Sequence, residues 1–165
     1  MHKESRRRMR RHIGKFLPPE AKLIGDLGSY DVNGSYRILI EPPRKYVGID
    51  IEAGPNVDVV MVSEYIVPLP DNYFDALITG QCFEHVRNPF KLMAEASRIV
   101  KPGGMILAVA PNTMGEHRFP LDCWRYMGDG WRALFEESGI EPIYTEYIDV
   151  MNATAVDSWG IGRKR

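Results

Sequence analysis

Short apolar runs separated by polar or glycine-rich segments recur along most of this chain. Five of the runs are continuous rather than alternating, which is typical of strands covered on both faces of a parallel sheet. Strands that alternate with turns and helical segments predict an α/β domain with a mainly parallel sheet. The predicted strands are residues 23–27, 46–51, 57–62, 74–79 and 105–110, and two more lie around residues 143–148 and 158–162.

Helical spacing of apolar positions appears in three segments between these runs. In the first, Met9, Ile13 and Leu17 share one face, and two prolines follow directly. In the second, Asn88 is the predicted N-cap, and a Pro-Gly-Gly turn is expected to end the helix before the fifth strand. The predicted helices are residues 5–17, a helix that begins at Pro89, and about residues 129–138.

Two connections are too short for the helices that usually join parallel strands. Only residues 52–56 link the second and third predicted strands, whereas a parallel crossover normally needs a dozen residues or more. Residues 33–40 allow about two helical turns after the first strand. We therefore expect a doubly wound sheet whose flanking helices are shortened.

Size and composition place the chain among soluble globular proteins. Its 165 residues suit one domain, and 44% apolar residues suffice for a core. No apolar run approaches the roughly 20 residues of a membrane span, and the basic N-terminus lacks the apolar stretch of a secretory signal. Cys82 and Cys123 form neither a disulfide framework nor a metal motif. We expect a cytoplasmic protein without a membrane span or a metal site.

Charge is unevenly distributed although the net charge is only −1. Residues 1–15 carry seven basic side chains, and the last three residues are all basic. The body between them is acidic, with 11 basic and 21 acidic residues. We therefore expect a basic N-terminal helix, residues 1–19, packed on a single domain of residues 20–165. The acidic body disfavours broad nucleic-acid binding, while the basic arm suits an anionic contact.

Candidate chemistry begins where the first predicted strand ends. Gly28 follows this strand directly, and a strand that runs into a glycine turn is typical of nucleotide-binding sites. Asp50 ends the second strand about 20 residues later, where a carboxylate can hold both ribose hydroxyls. Tyr30 and Val32 stand where a dinucleotide fingerprint needs glycine, so a nicotinamide dehydrogenase is disfavoured.

Four sequence blocks, in this order and spacing, carry a resemblance to a known family. They are Asp-Leu-Gly-Ser at 26–29, Gly-Ile-Asp at 48–50, Leu-Pro-Asp-Asn-Tyr-Phe-Asp at 69–75, and Phe-Glu-His-Val at 83–86 followed by Arg-Ile-Val-Lys-Pro-Gly-Gly at 98–104. Over residues 20–162 the chain resembles class I S-adenosylmethionine-dependent methyltransferases of the small type 11 group. The resemblance implies a Rossmann-like sheet of order 3-2-1-4-5-7-6 with an antiparallel strand 7.

The resemblance also implies where S-adenosylmethionine binds and S-adenosylhomocysteine forms. The methionine part would lie along the turn after strand one, the ribose at the tip of strand two, and the adenine edge after strand three. Residues after strand four would lie beside the transferred methyl group. The implied cofactor-binding residues are Asp26, Gly28, Ser29, Tyr30, Asp50, Ile51, Ser63, Glu64, Tyr65, Gln81, Phe83 and His85.

A polar loop beyond the fifth predicted strand supplies the candidate catalytic and acceptor-binding residues. Ligands of open α/β sheets bind beyond the carboxyl ends of the strands, so this loop should overhang the cofactor. Residues 117–125 follow a His-Arg-x-Pro-x-Asp-x-Trp-Arg pattern that resembles a subset of these methyltransferases, some of them similar to enzymes of cell-surface sugar metabolism. The candidate bases are His117 and then His85, and the candidate acceptor contacts are Arg118, Asp122, Trp124 and Arg125.

These features predict a methyltransferase that acts on a hydroxyl or amine of a small-molecule or sugar-like acceptor. The alternative for the final loop is structural, with Asp122 paired to Arg125 and Trp124 packed in the core. Two other functions remain open: a nucleic-acid methyltransferase that uses the basic helix, and a non-catalytic cofactor-binding partner subunit. The sequence leaves the oligomeric state open between monomer and homodimer.

Overall fold

Seven strands form one sheet in the computed structural model, which describes residues 3–146 and 155–165. The order is β3-β2-β1-β4-β5-β7-β6, and β7 runs antiparallel to both β5 and β6. The predicted Rossmann-like methyltransferase topology is confirmed. The strands are β1 (Leu23–Leu27), β2 (Lys45–Asp50), β3 (Val59–Val60), β4 (Phe74–Gly80), β5 (Val100–Met114), β6 (Ile140–Glu146) and β7 (Ala155–Lys164).

Three helices flank this sheet, and each contributes an apolar stripe to a core. They are α1 (Lys3–Phe16), α2 (Pro89–Ile99) and α3 (Gly128–Glu137). Asn88 caps α2 as predicted, because its side chain accepts a hydrogen bond from the Lys91 amide at 3.1 Å. Two 3-10 turns, Arg37–Leu39 and Phe83–His85, complete the described helical structure.

The two faces of the sheet bury separate cores. Neighbouring residues of a strand point to opposite faces, so Leu77 of β4 joins one core and Ile78 joins the other. The first core also contains the apolar faces of α2 and α3, and the second contains Met9 and Ile13 of α1. Coverage on both faces explains why the central strands are continuous apolar runs.

Three details of the predicted elements are wrong. The third strand is reduced to Val59–Val60, because it lies at the sheet edge and pairs only with β2. Residues 102–104 do not separate α2 from the fifth strand: β5 begins at Val100, where its first pair is with Phe74. Residues 33–40 form a single 3-10 turn rather than two helical turns. The short, helix-free connection between β2 and β3 is confirmed.

Other ends agree within a few residues, and part of one prediction cannot be placed. Residues 147 and 148, the predicted end of the sixth strand, lie outside the described residues. Among the described helices, none combines the length and the apolar character needed to cross a membrane.

Gly160 of β7 provides a test of the packing between the sheet and α3. A Cβ atom at this position would lie 2.7 Å from the ring of Trp131, which is fully buried. We expect Gly160→Ala to lower the free energy of unfolding by about 1–3 kcal/mol, since overpacking displaces a buried ring. Urea denaturation followed by circular dichroism measures the change.

The control is Gly130→Ala in α3, where a Cβ atom would meet no atom within 4 Å. This change should leave the protein at least as stable as the wild type, because alanine favours helix over glycine by up to about 1 kcal/mol. Equal effects of the two substitutions would contradict the packing described here.

Candidate active site

The carboxyl ends of β1 and β2 are joined by hydrogen bonds through the predicted glycine turn. The amides of Gly28 and Ser29 both donate to the carbonyl of Ile49, at 2.9 and 3.0 Å. The next amide, that of Tyr30, donates to Oδ2 of Asp50 at 2.9 Å. The turn and the aspartate are therefore parts of one hydrogen-bonded unit.

Glycine is required at the turn for two reasons. Gly28 has a φ of +81°, which side chains rarely adopt, and a Cβ atom there would lie 2.5 Å from Cβ of Cys82. Cys82 follows β4, so the turn packs against the end of the neighbouring strand on its other side. Glycine at this position therefore allows the ends of β1, β2 and β4 to pack closely together.

A cavity of about 590 Å³ opens beyond these strand ends. This volume is typical of sites that bind small molecules or cofactors. The cavity lies where the topology of open α/β sheets places ligands. Among its lining residues are the following predicted site residues: Asp26, Gly28, Ser29, Tyr30, Asp50, Ile51, Glu64, Gln81, His85 and His117.

Asp50 is held at the tip of β2 by backbone donors alone. Its Oδ1 accepts from the Ile51 amide at 2.7 Å and from the Glu52 amide at 3.4 Å, and its Oδ2 accepts from the Tyr30 amide at 2.9 Å. The two short bonds fix the orientation of the carboxylate. Because the Glu52 bond is long and weak, the carboxylate can still accept from two adjacent hydroxyls.

Asp26 lies deeper in the cavity and is only 2% exposed. Its Oδ2 accepts a hydrogen bond from the Tyr46 hydroxyl at 2.5 Å, while its Oδ1 is buried without a partner. Burial raises the pKa of Asp26 to about 7; the Tyr46 hydrogen bond opposes this shift and the Asp50 charge adds to it. A cationic group bound here would stabilise the ionised carboxylate.

Glu84 and His85 form a second polar group, in the 3-10 turn after β4. Nδ1 of His85 lies 2.6 Å from the carbonyl oxygen of Leu121, which can only accept, so Nδ1 carries the proton. Nε2 of the neutral ring is consequently bare, and it lies 3.6 Å from Oε1 of Glu84. Burial lowers the pKa of His85, so the neutral ring is favoured.

The Glu84 carboxyl faces the cavity although its side chain is only 3% exposed. Its Oε2 is buried without a hydrogen-bond partner. Burial raises its pKa to about 8; the Asp157 and Asp122 charges add to this, whereas its own backbone amide and Arg125 oppose it. A cation bound beside this group would stabilise its ionised form.

The loop of residues 115–125 closes one side of the cavity through His117, Phe119, Pro120 and Leu121. Arg125 binds both carboxylate oxygens of Asp122, at 2.5 and 2.7 Å, and also the carbonyl of Gly115 at 3.0 Å. Asp122 accepts from the His117 amide as well, and its pKa is lowered chiefly by Arg125. The Asp122–Arg125 pair therefore holds the loop in place.

The remaining predicted residues do not line the cavity. Phe83 is fully buried against Tyr126 and Trp131 in the core. Trp124 is 42% exposed and its ring N–H donates to the carbonyl of Val86 at 2.8 Å. The others lie at the rim or in the loop: Ser63 and Tyr65 follow β3, and Arg118 is exposed and paired with Glu116 at 2.7 Å.

Sequence reasoning missed many residues of this site, and four of them bear on its chemistry. Tyr36 and Glu84 line the cavity, and Tyr46 and Asn56 hold Asp26 and the turn in place. For Glu84 a signal was present, because it stands between two predicted site residues in the Phe-Glu-His-Val block. No sequence pattern indicated the roles of Tyr46 and Asn56, because their contacts depend on the register of β1 and β2.

The sheet order, the joined strand ends and the cavity are those of the fold of class I S-adenosylmethionine-dependent methyltransferases. Residues 35–108 match the model of a methyltransferase domain family, known as type 11, which confirms the resemblance read from the sequence. The chain therefore has the fold of class I methyltransferases, and residues 35–108 match a domain model of this family.

Known proteins similar to this chain agree with that assignment. An uncharacterized methyltransferase of Schizosaccharomyces pombe is 32% identical over 104 residues, which cover 63% of this chain and 36% of the relative. An S-adenosylmethionine-dependent methyltransferase of Methanosarcina mazei has a similar structure, with a TM-score of 0.69, 15% identity, and coverage of 92% of this chain and 96% of that protein.

The same fold also serves other chemistry. The [4+2]-cyclase SpnF superposes with a TM-score of 0.73 at 15% identity, covering 95% of this chain and 80% of the cyclase. Moreover, the chain spans only about a third of the length of the curated relatives it matches. The reaction and the acceptor must therefore be argued from the site itself.

The Tyr46–Asp26 hydrogen bond allows a direct test of the site electrostatics. Hydrogen bonding to the charged form of a carboxyl lowers its pKa, so Tyr46→Phe should raise the pKa of Asp26 further above 7. We expect a rise of about one pH unit, since a hydrogen bond to a charged group contributes about 1.5–3 kcal/mol before the site relaxes. The pKa is measured by following the NMR chemical shift of the Asp26 carboxyl carbon during a pH titration.

The matched control is Tyr73→Phe, because the Tyr73 ring packs edge-on against Phe74 in the core cluster that contains Leu77. This control should leave the titration of Asp26 unchanged. A lower Asp26 pKa in Tyr46→Phe would show that the hydroxyl does not donate to the carboxylate.

Proposed function

We propose that this chain transfers a methyl group from S-adenosylmethionine to a hydroxyl or amine of a small-molecule or sugar-like acceptor. The observation that carries the proposal is the unit formed by the Gly28 turn and Asp50, at the mouth of a cavity large enough for the cofactor. The proposal requires these two strand ends to bind one adenosyl sugar together.

The lining residues fit the cofactor by charge and position. The oriented carboxylate of Asp50 would accept both ribose hydroxyls, with Ile51 against the adenine and Glu64 nearest its edge. The unpartnered oxygen of Asp26 would accept from the methionine ammonium. The residues we assign to the cofactor are Asp26, Gly28, Ser29, Tyr30, Asp50, Ile51, Ser63, Glu64, Tyr65, Gln81, Phe83 and His85. Three of them, Ser63, Tyr65 and Phe83, do not line the cavity and would act indirectly.

The residues assigned above would hold S-adenosylmethionine, which would supply an electrophilic methyl group to the acceptor's electron pair and leave as S-adenosylhomocysteine. The chain contributes alignment and removal of the acceptor's proton. His117 lies exposed in the loop at the cavity, and the bare Nε2 of His85 lies deeper, with the two rings 5.8 Å apart. These two histidines are the proton acceptors that we propose.

The loop of residues 115–125 would position the acceptor. Asp122 and Arg125 would act indirectly, because they are bound to each other and fix the backbone of His117. Arg118 and Trp124 are more exposed and would contact the part of the acceptor that extends out of the cavity.

Replacement of Asp50 tests the cofactor site. We expect Asp50→Ala to weaken S-adenosylhomocysteine binding about 100-fold, because two ribose hydroxyls lose a charged acceptor, with each such bond contributing about 1.5–3 kcal/mol. Isothermal titration calorimetry measures the affinity. Glu41→Gln removes the same charge at an exposed position outside the cavity and should not change it. Wild-type affinity in Asp50→Ala would contradict the proposed function.

Replacement of the two histidines tests the proton acceptor. A general base typically contributes about 10²–10⁴-fold to the rate, so His117→Ala or His85→Gln should lower kcat by at least about 100-fold if the residue takes the proton. Release of S-adenosylhomocysteine from a panel of hydroxyl and amine acceptors is the assay. An unchanged kcat in one variant would remove that histidine from the chemistry.

A further inference from the structure

The described lining of the cavity is strongly acidic. It contains one arginine and no lysine, and the arginine, Arg87, forms an ion pair with Glu64 at the rim. The carboxyl groups that line the same cavity are those of Asp26, Asp50, Glu52, Glu64 and Glu84. Such a lining repels anionic ligands and attracts cations.

The arginines of the overhanging loop do not change this balance. Arg125 is bound to Asp122 through both carboxylate oxygens, and Arg118 is bound to Glu116 on the outer surface. Neither guanidinium lines the cavity. An acceptor that presents a phosphate or carboxylate to the methyl-transfer site would therefore find no free cation on the described residues around it.

Glu84 is the carboxyl best placed to receive the acceptor. Its turn lies under the loop, because the Glu84 carbonyl accepts from the amides of Cys123 and Trp124 at 2.7 and 3.3 Å. Its side chain is adjacent to His85, whereas Asp26 and Asp50 lie along the turn assigned to the cofactor. Its buried, unpartnered Oε2 lacks the hydrogen-bond donor that buried carboxyl oxygens normally have.

We propose that the acceptor is a small molecule with a basic amine, and that the Glu84 carboxyl holds the amine nitrogen for methylation. This inference rests on the proposed function and narrows its acceptor class from hydroxyls or amines to amines. An ammonium would supply the missing donor to Oε2 and a charge of the sign that the cavity favours.

The same contact provides a route for the proton that an amine must lose before it can react. The ammonium N–H bond breaks, the proton passes to a carboxylate oxygen of Glu84, and the nitrogen keeps the electron pair that attacks the methyl carbon. The raised pKa of Glu84 brings its proton affinity closer to that of an amine, which makes this transfer less unfavourable.

Four probes with three-carbon skeletons and different polar groups test the acceptor class. Propylamine, propanol, propionate and propyl phosphate are titrated against the protein saturated with S-adenosylhomocysteine, and binding is followed by NMR. We expect propylamine to bind at least 10-fold more tightly than the other three and to shift the Glu84 carboxyl carbon. Glu84→Gln should remove this preference while changing the affinity for S-adenosylhomocysteine less than 2-fold.

The control variant is Glu116→Gln, which removes a carboxylate from the loop outside the cavity and should preserve the preference for propylamine. Tighter binding of propionate or propyl phosphate, or no amine binding at all, would overturn the proposal. An equal loss of S-adenosylhomocysteine binding in Glu84→Gln would also overturn it, by assigning Glu84 to the cofactor.

Failure of the proposed function itself gives a different result. In that case S-adenosylhomocysteine does not bind the wild-type protein, and the titration is repeated on the ligand-free protein. A change in the NMR chemical shift of the Glu84 carboxyl carbon on addition of propylamine then still shows whether this residue binds amines. Because the wild-type protein is used, the result does not depend on how any variant folds.

Discussion

The contact between the Gly28 turn and the end of β2 is the constraint on which the rest of the site depends. Three successive amides of the turn donate to β2: two to the carbonyl of Ile49 and one to the carboxylate of Asp50. These bonds satisfy backbone donors that would otherwise be exposed in the cavity, and they orient the carboxylate at the same time. Without them, neither the turn nor Asp50 would have a defined position relative to a ligand.

The cavity concentrates buried carboxyls that do not stabilise the fold. Burial disfavours the charged forms of Asp26 and Glu84, and each has one oxygen without a hydrogen-bond partner. Because their pKa values are raised above the unfolded values, folding stability is lost progressively as the pH rises from about 4 to about 7 to 8, and a cationic ligand that favours the ionised forms would restore part of it. The unfavourable burial is therefore consistent with a site that binds a positively charged group.

The sequence predicted the parts of this architecture that depend on local patterns. The apolar run that ends before Gly28 predicted both ends of β1, and the spacing from Gly28 to Asp50 predicted where the neighbouring strand β2 ends. The apolar pattern did not predict the length of β3, because β3 lies at the sheet edge and its length depends on how far it pairs with β2. The Tyr46–Asp26 bond was also out of reach, since it depends on strand register and burial rather than on any motif.

The loop of residues 115–125 shows why residue types alone could not separate structure from chemistry. By residue type, Arg125 could bind an anion and Asp122 a cation, but in the structure the two side chains form an ion pair with each other. The loop held by this pair brings the Leu121 carbonyl into hydrogen-bond contact with Nδ1 of His85, so that Nε2 is the nitrogen without a proton. The amides of Cys123 and Trp124, in the same loop, donate to the Glu84 carbonyl. Arg125 thus has a structural role on which the proposed chemistry depends, because the loop that it holds positions His117 and His85, the two proton acceptors that we propose.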